Sequence, residues 1–531
     1  MLFLFSAENQ SKPSYMKKTF TLSFFSFLFL CSLSAQQTGN AQIALNADSG
    51  RNIISKHIYG QFSEHLGHCI YGGIWVGANS KIPNIKGYRK DVVEALKNLA
   101  IPNLRWPGGC FADEYHWMDG IGPREKRPKM VNTNWGGVTE DNSFGTHEFL
   151  DFCELIGCEP YVSVNVGSGT VEEMAKWVEY MTADGETPMS TLRKQNGREK
   201  PWHVKFIGIG NESWGCGGNM TPDYYSDLFK RYGTYARNYG RNQLYKIASG
   251  ASDYDCHWTE TLMKNDSKQM SGISLHYYTC KGWNGSKGSA TEFTKDEYEE
   301  TISKCLELDS IVMKHSAIMD KYDPQKRVGL MVDEWGTWFD VETGTNPGFL
   351  YQQNTLRDAI VAGSSLNILN NHCDRVKMSN IAQIINVLQS LILTDSDKIV
   401  LTPTYDVYLM YKPHKEATLL PMTIKSPKVE CGEKSFPAVN GSASRAANGK
   451  IHITLVNTDP DKNVDIACDI NGKNAVKSVT GQILTSPDLR DHNTFDHPDK
   501  LQIKAFNGAK VTKSGLEVKL PSKSIVVLEL N

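Results

Sequence analysis

No CxxC pair and no HExxH motif occurs in the sequence, so neither a zinc ribbon nor a helical zinc-protease site is encoded. There is no long basic run, and the net charge is −2, which argues against nucleic acid or an anionic membrane as partner. Past residue 35 no hydrophobic run is long enough to span a bilayer. Tandem repeats and low-complexity linkers are absent too, which excludes solenoids and predicts tightly packed domains. The 12 cysteines are irregularly spaced, and an odd eleven follow residue 35, so the chain is not a small disulfide scaffold. Most of them read as small buried hydrophobes.

What is present is a globular composition, 40% hydrophobic and 22% charged, in a chain of 531 residues. That length holds a barrel of ~250–400 residues and one smaller domain. The 11 Trp and 22 Tyr suit sugar stacking, and equally a large core.

Residues 1–35 read as a secretory signal peptide with its best start at Met16. Lys17-Lys18 precede the apolar stretch 19–31, and Ser32-Leu33-Ser34-Ala35 offers small residues for cleavage. Cys31 would suit a lipoprotein, but Leu30 before it is larger than such a site prefers. The expectation is export to the periplasm or the cell exterior.

From Ile58 the chain alternates strand and helix about eight times, the signature of a (β/α)8 barrel. Residues 87–99 place Val92, Val93, Leu96 and Leu99 at helical spacing. Val204–Ile209 is an apolar run too short for a helix and reads as a buried strand, ending in Gly-Asn-Glu. After about residue 400 short β segments separated by Gly, Pro, Asn and Asp predict a β-sandwich. The domain expectation is a barrel over 56–400 and a sandwich over 401–531, to which 41–55 contributes a strand.

Strand tips carry polar groups that alternation does not explain: Glu64, Arg105, Asn211 with Glu212, His276 with Tyr278, and Glu334. Gln383 sits on the last strand. Singly, each has a plainer explanation: a core ion pair for Arg105, a satisfied buried histidine for His276, a helix cap for Glu64. Together, strand polarity puts them at one barrel mouth, where barrel enzymes keep their chemistry. Two carboxylates on two tips, Glu212 and Glu334, are the minimum apparatus for retaining glycoside hydrolysis, with carboxyl groups about 5–5.5 Å apart. Cys110 and Cys216 both follow strand tips, and a bridge between them is a further expectation.

The runs IYGQFSEHLGHCIYGGIW, NLRWPGGCFADEYHW, GIGNESWGCGG, SLHYY, DEWGTW and DRVKMSNIAQIINVLQ resemble glycoside hydrolase family 51, the retaining α-L-arabinofuranosidases, from about residue 41 to the end. GNE after a strand is shared across the larger clan; EHLG…YGGI with RWPGG and NIAQ is more specific. The resemblance implies Glu212 as acid/base and Glu334 as nucleophile. It implies Asn211 on the sugar 2-hydroxyl, Arg105 and Tyr278 beside Glu334, and His276 near the acid/base. Glu64 and Gln383 would meet the furanose hydroxyls, and Trp338 and Trp135 would wall the pocket. No metal or organic cofactor is implied. The implied substrate is terminal arabinofuranose on arabinan, arabinoxylan or arabinogalactan. A homo-oligomer stays open, since no interface signature is visible. One departure stands out: many members have Asn after RxPGG, and here it is Cys110, a poor hydrogen-bond partner. The rival expectations are an endo-glucanase or xylanase of the same clan, and a non-catalytic glycan-binding protein.

Overall fold

The structure, a computed structural model, describes residues 38–472 and 476–531. The expected leader, residues 1–35, lies outside the described residues. Among the described residues no helix is long and apolar enough to cross a membrane.

Eight parallel strands close into a barrel. They are β1 (Gly60–Phe62), β2 (Asn103–Trp106), β3 (Glu159–Val164), β4 (Phe206–Ile209), β5 (Tyr245–Ser252), β6 (Gly272–Thr279), β7 (Gly329–Thr337) and β8 (Val376–Ile381). Closure comes from β8 pairing with β1, Asn380 opposite Gly60 and Ile381 opposite Gln61. The strands are buried on both faces, which is why they read as near-continuous apolar runs. The helix Lys90–Leu99 buries Val92, Val93, Leu96 and Leu99, the stripe that the spacing predicts. Near the floor of the barrel Tyr161, Phe206, Ile247, Met331 and Met378 pack as a separate apolar plug.

The first strand is shorter than the sequence suggests, because a 3-10 turn, Lys56–Tyr59, precedes it. The last one stops at Ile381, so Gln383 lies just past its tip. A helix at Pro403–Tyr411, unread in the sequence, completes the outer ring. Its Tyr405 hydroxyl donates to the Ala95 carbonyl at 3.0 Å and accepts from Asn98 at 3.0 Å, joining it to Lys90–Leu99.

Near its tip, strand β7 carries one residue more than its neighbours. Between Met331 and Glu334 it spans three steps where β6 spans two, Ser274 to His276. Against β8 the same surplus falls between Val332 and Trp335. A bulge at a barrel rim re-aims side chains, and here both Asp333 and Glu334 turn toward the barrel interior.

The C-terminal strands form two sheets, one of five strands and one of six, around their own apolar core. The strand Thr38–Asn46 lies inside the five-stranded sheet, parallel to Asn463–Asn471 and antiparallel to Met422–Lys425. The helix Leu356–Asn371 joins this unit to the barrel through a polar seam. Asn367 Oδ1 accepts from Ser442 Oγ at 2.8 Å and from Thr454 Oγ1 at 2.5 Å, and its amide donates to Asn440 at 2.8 Å. Asn367→Ala removes three hydrogen bonds, two of them from the buried hydroxyls of Ser442 and Thr454, and should cost about 2–3 kcal/mol. Chemical denaturation should show a lower midpoint, with the activity of the folded enzyme unchanged.

Candidate active site

A pocket of about 450 Å³ opens over the C-terminal ends of the strands, within the size range of small-molecule sites. Glu64, Asn211, Glu212, Tyr278, Glu334, Trp135, Trp338 and Gln383 line it, all singled out from sequence. Arg105 and His276 stand behind this lining, in contact with it.

The floor is organised by Arg105, a buried guanidinium. Its Nη1 donates to Glu334 Oε1 at 2.7 Å and its Nη2 to Asn211 Oδ1 at 2.6 Å. With its oxygen committed to Arg105, Asn211 turns its amide nitrogen into the pocket. Tyr278 donates its hydroxyl to Glu334 Oε2 at 2.8 Å. The approach of the loop after β2 requires glycine: a Cβ on Gly109 would stand 2.9 Å from Glu334 Oε1, and one on Gly108 2.5 Å from Glu64 Cγ.

Glu212 follows β4 in the left-handed region, φ 37°, which a residue with a side chain rarely adopts. Turn bonds hold it there, with the amides of Gly215 and Gly217 donating to its carbonyl at 2.7 and 3.1 Å. Buried Asp113 fixes the preceding residue, accepting from the Asn211 amide at 3.1 Å and from those of Val166 and Gly167 at 2.8 Å.

His276 donates Nδ1–H to Glu212 Oε1 at 2.9 Å and faces Asp333 through Nε2 at 3.3 Å. One oxygen each of Glu212 and Glu334 and a nitrogen of His276 lie within 4.8 Å of one another. Burial alone would strip the proton from His276. The carboxylates of Glu334, Asp333 and Glu212 outweigh it and push the imidazole up to about 10, so it is a cation at neutral pH. Burial would also raise Asp333, yet Arg105 and His276 hold it below the ordinary carboxylate range. Glu212 is raised, by burial first and by the charge of Glu334 against the opposing bond from His276.

Glu64 is raised to about 7 by burial and by Glu334, although hydrogen bonds from Trp135, Phe111 and Gln383 oppose the shift. The amides of Gly109 and Phe111 and the Trp135 indole donate to its Oε1 at 3.0, 3.1 and 2.9 Å, and Gln383 to its Oε2 at 2.8 Å. Gln383 Oε1 is buried and unpartnered.

Sequence reasoning missed Asp333, whose neighbour Glu334 was singled out; strict alternation would have placed the two on opposite faces. It also missed Ser252 at the end of β5 and the loop residues Trp214, Asp253 and Trp283, which line the outer pocket. Trp283 is 53% exposed and continues an aromatic wall. Ring centroids are 5.0 Å apart from Tyr278 to Trp338 and 5.4 Å from Trp338 to Trp283. Cys110 and Cys216 form the disulfide read as an expectation from their positions.

Gly109→Ala pushes the Glu334 carboxylate off its Arg105 contact. About 10- to 100-fold of kcat/KM should be lost, as for a misplacement near one ångström, with the circular dichroism spectrum unchanged.

Comparison with known proteins agrees with this geometry. Residues 95–295 match the α-L-arabinofuranosidase 1 domain model, and residues 333–524 match the α-L-arabinofuranosidase C-terminal domain model. A Bacteroides ovatus protein named intracellular exo-α-L-arabinofuranosidase is 60% identical over 94% of this chain and 97% of its own length. The crystal structure of the GH51 arabinofuranosidase from Xanthomonas axonopodis pv. citri superposes with a TM-score of 0.92 at 50% identity, over 93% of this chain and all of that one. The arabinose complex of the Thermotoga maritima α-L-arabinofuranosidase gives a TM-score of 0.81 at 31% identity, over 92% and 99% of the two chains. These matches do not favour the endo-glucanase or glycan-binding alternatives. They also correct the expectation of export, since the Bacteroides relative is named intracellular. Two lysines before an apolar stretch are a local compositional signal, and it is overturned here. The chain belongs to glycoside hydrolase family 51, the α-L-arabinofuranosidase family.

Proposed function

We propose that Glu334 is the nucleophile and Glu212 the acid/base of an exo-acting α-L-arabinofuranosidase that works by double displacement. The observation that carries this assignment is the approach of their carboxylate oxygens to within 4.8 Å. That spacing suits attack by one carboxylate on the sugar carbon, and it is too short to seat an attacking water between them as inversion requires.

Glu334 attacks the anomeric carbon while Glu212 gives its proton to the leaving oxygen. Proton donation is helped by a carboxyl that holds its proton more tightly than usual, and burial together with the charge of Glu334 shifts Glu212 in that direction. A covalent arabinosyl-enzyme forms on Glu334. Glu212, now ionised, takes a proton from water, which displaces Glu334 with net retention. Arg105 and Tyr278 aim the nucleophile through one bond to each of its oxygens. The inward amide of Asn211 donates to the sugar 2-hydroxyl. Glu64 and the free oxygen of Gln383 meet the remaining hydroxyls, and Trp135 and Trp338 close the sides. The substrates that fit are terminal arabinofuranosyl units of plant arabinan, arabinoxylan or arabinogalactan, or of their oligosaccharides.

Glu334→Ala should reduce turnover of an aryl arabinofuranoside by at least ~10³-fold with the fold intact. Unchanged turnover would remove the assignment. Glu212→Ala should lose about 10²–10⁴-fold on a disaccharide and far less on a dinitrophenyl arabinofuranoside, whose leaving group needs no proton. Proton NMR at early times should show the retained anomer as first product. The alkaline limb of kcat/KM reports Glu212 losing its proton and should lie above the ordinary value of about 4.3 for glutamate; a limb at or below that value contradicts the assignment.

A further inference from the structure

The Cys110–Cys216 bridge is the only disulfide among the described residues, and it joins two loops of the site across 106 positions of sequence. Cys110 stands between Gly109 and Phe111, whose amides hold Glu64. Cys216 stands in the turn after Glu212. Its sulfur lies 3.6 Å from Glu212 Oε2 and 3.8 Å from the Asn211 amide nitrogen. Because His276 occupies Glu212 Oε1, Oε2 is the oxygen left to carry the transferable proton. Cys216 is exposed, so a solvent thiol can reach it.

We propose that this disulfide is a positioning element of the catalytic site, and that its opening by a thiol reductant disables proton donation by Glu212 without unfolding the barrel. The proposal rests on the assignment of Glu212 as acid/base. In the bridged form the neighbouring sulfur has no hydrogen to give, and Oε2 keeps its own proton for the leaving oxygen. The reductant's thiolate attacks Cys216 Sγ and displaces Cys110 as thiolate. A second reductant thiol then releases Cys216. Two electrons and two protons enter the protein, and the reductant ends as its own disulfide. The opened form differs in two ways. The loop of Asn211 and Glu212 loses its tether to the Glu64 loop. A Cys216 S–H now points at Glu212 Oε2, and a donor to the ionised carboxylate favours the ionised form. The other groups facing Glu212 are Arg105 from β2, His276 and Tyr278 from β6 and Glu334 from β7, with Asp253 at the tip of β5; none of them takes part in the exchange. Below about pH 8 the released cysteine is mainly a thiol, so the alkaline limb of kcat/KM moves to lower pH on reduction.

The test uses the full-length enzyme with and without dithiothreitol, with free thiols counted under denaturing conditions to show that the bridge has opened. Reduction should cost ~10-fold or more on an arabinofuranosyl disaccharide and less than ~3-fold on the dinitrophenyl arabinofuranoside, since only the first needs the acid. Reoxidation should restore the loss. Cys110→Ala/Cys216→Ala, which removes the tether and places no donor near Oε2, should not respond to dithiothreitol. An unaltered rate after proven opening, an equal loss on both substrates, or a double variant that still responds would overturn the proposal. If Glu212→Ala itself lost equally on both substrates, the acid/base assignment would fail instead, whatever dithiothreitol does.

Discussion

A single buried cation, Arg105, is the constraint on which the site depends. A guanidinium without counter-charges would not survive in a barrel core, so its neighbours follow from it. Glu334 and Asn211 take its hydrogen bonds, and Asp333 lies 3.8 Å from its Nε. Arg105 and protonated His276 together face the two carboxylates of Asp333 and Glu334. Burial and the charge of Glu334 still raise the proton affinity of Glu212, against its bond from His276, and of Glu64 in the same cleft.

Much of this was legible in the sequence. Polar residues at the ends of apolar runs marked Glu64, Arg105, Asn211, Glu212, His276 and Glu334, because a parallel barrel gathers strand ends at one rim. The eightfold alternation marked the barrel, and short β segments marked the strand-rich unit after it. Asp333 stayed hidden for a geometric reason: period two assigns it to the face opposite Glu334, and the extra residue in β7 breaks that period. The helix Pro403–Tyr411 escaped because its residues are apolar nearly all round, and an unstriped run carries no helical periodicity. Trp214, Asp253 and Trp283 lie on loops, where long-range folding alone decides which side chains meet.

The pocket also separates two kinds of recognition. At its base Glu64 already accepts four protein hydrogen bonds, so the floor is rigid and shaped before any sugar arrives. Toward the surface the walls are aromatic faces and partly exposed polar groups. The hydrogen-bonded base and the aromatic rim therefore present different chemistry to a ligand.

The strand Thr38–Asn46 has a consequence for biogenesis. It is translated before any strand of the barrel, yet both of its hydrogen-bonding neighbours are translated after the barrel. Until they emerge, its apolar residues Ala41, Ile43 and Leu45 have no sheet to enter. Nascent chains of this protein therefore carry an unsatisfied β segment through most of their synthesis, and excising the C-terminal sheets as a module would leave a gap inside one of them.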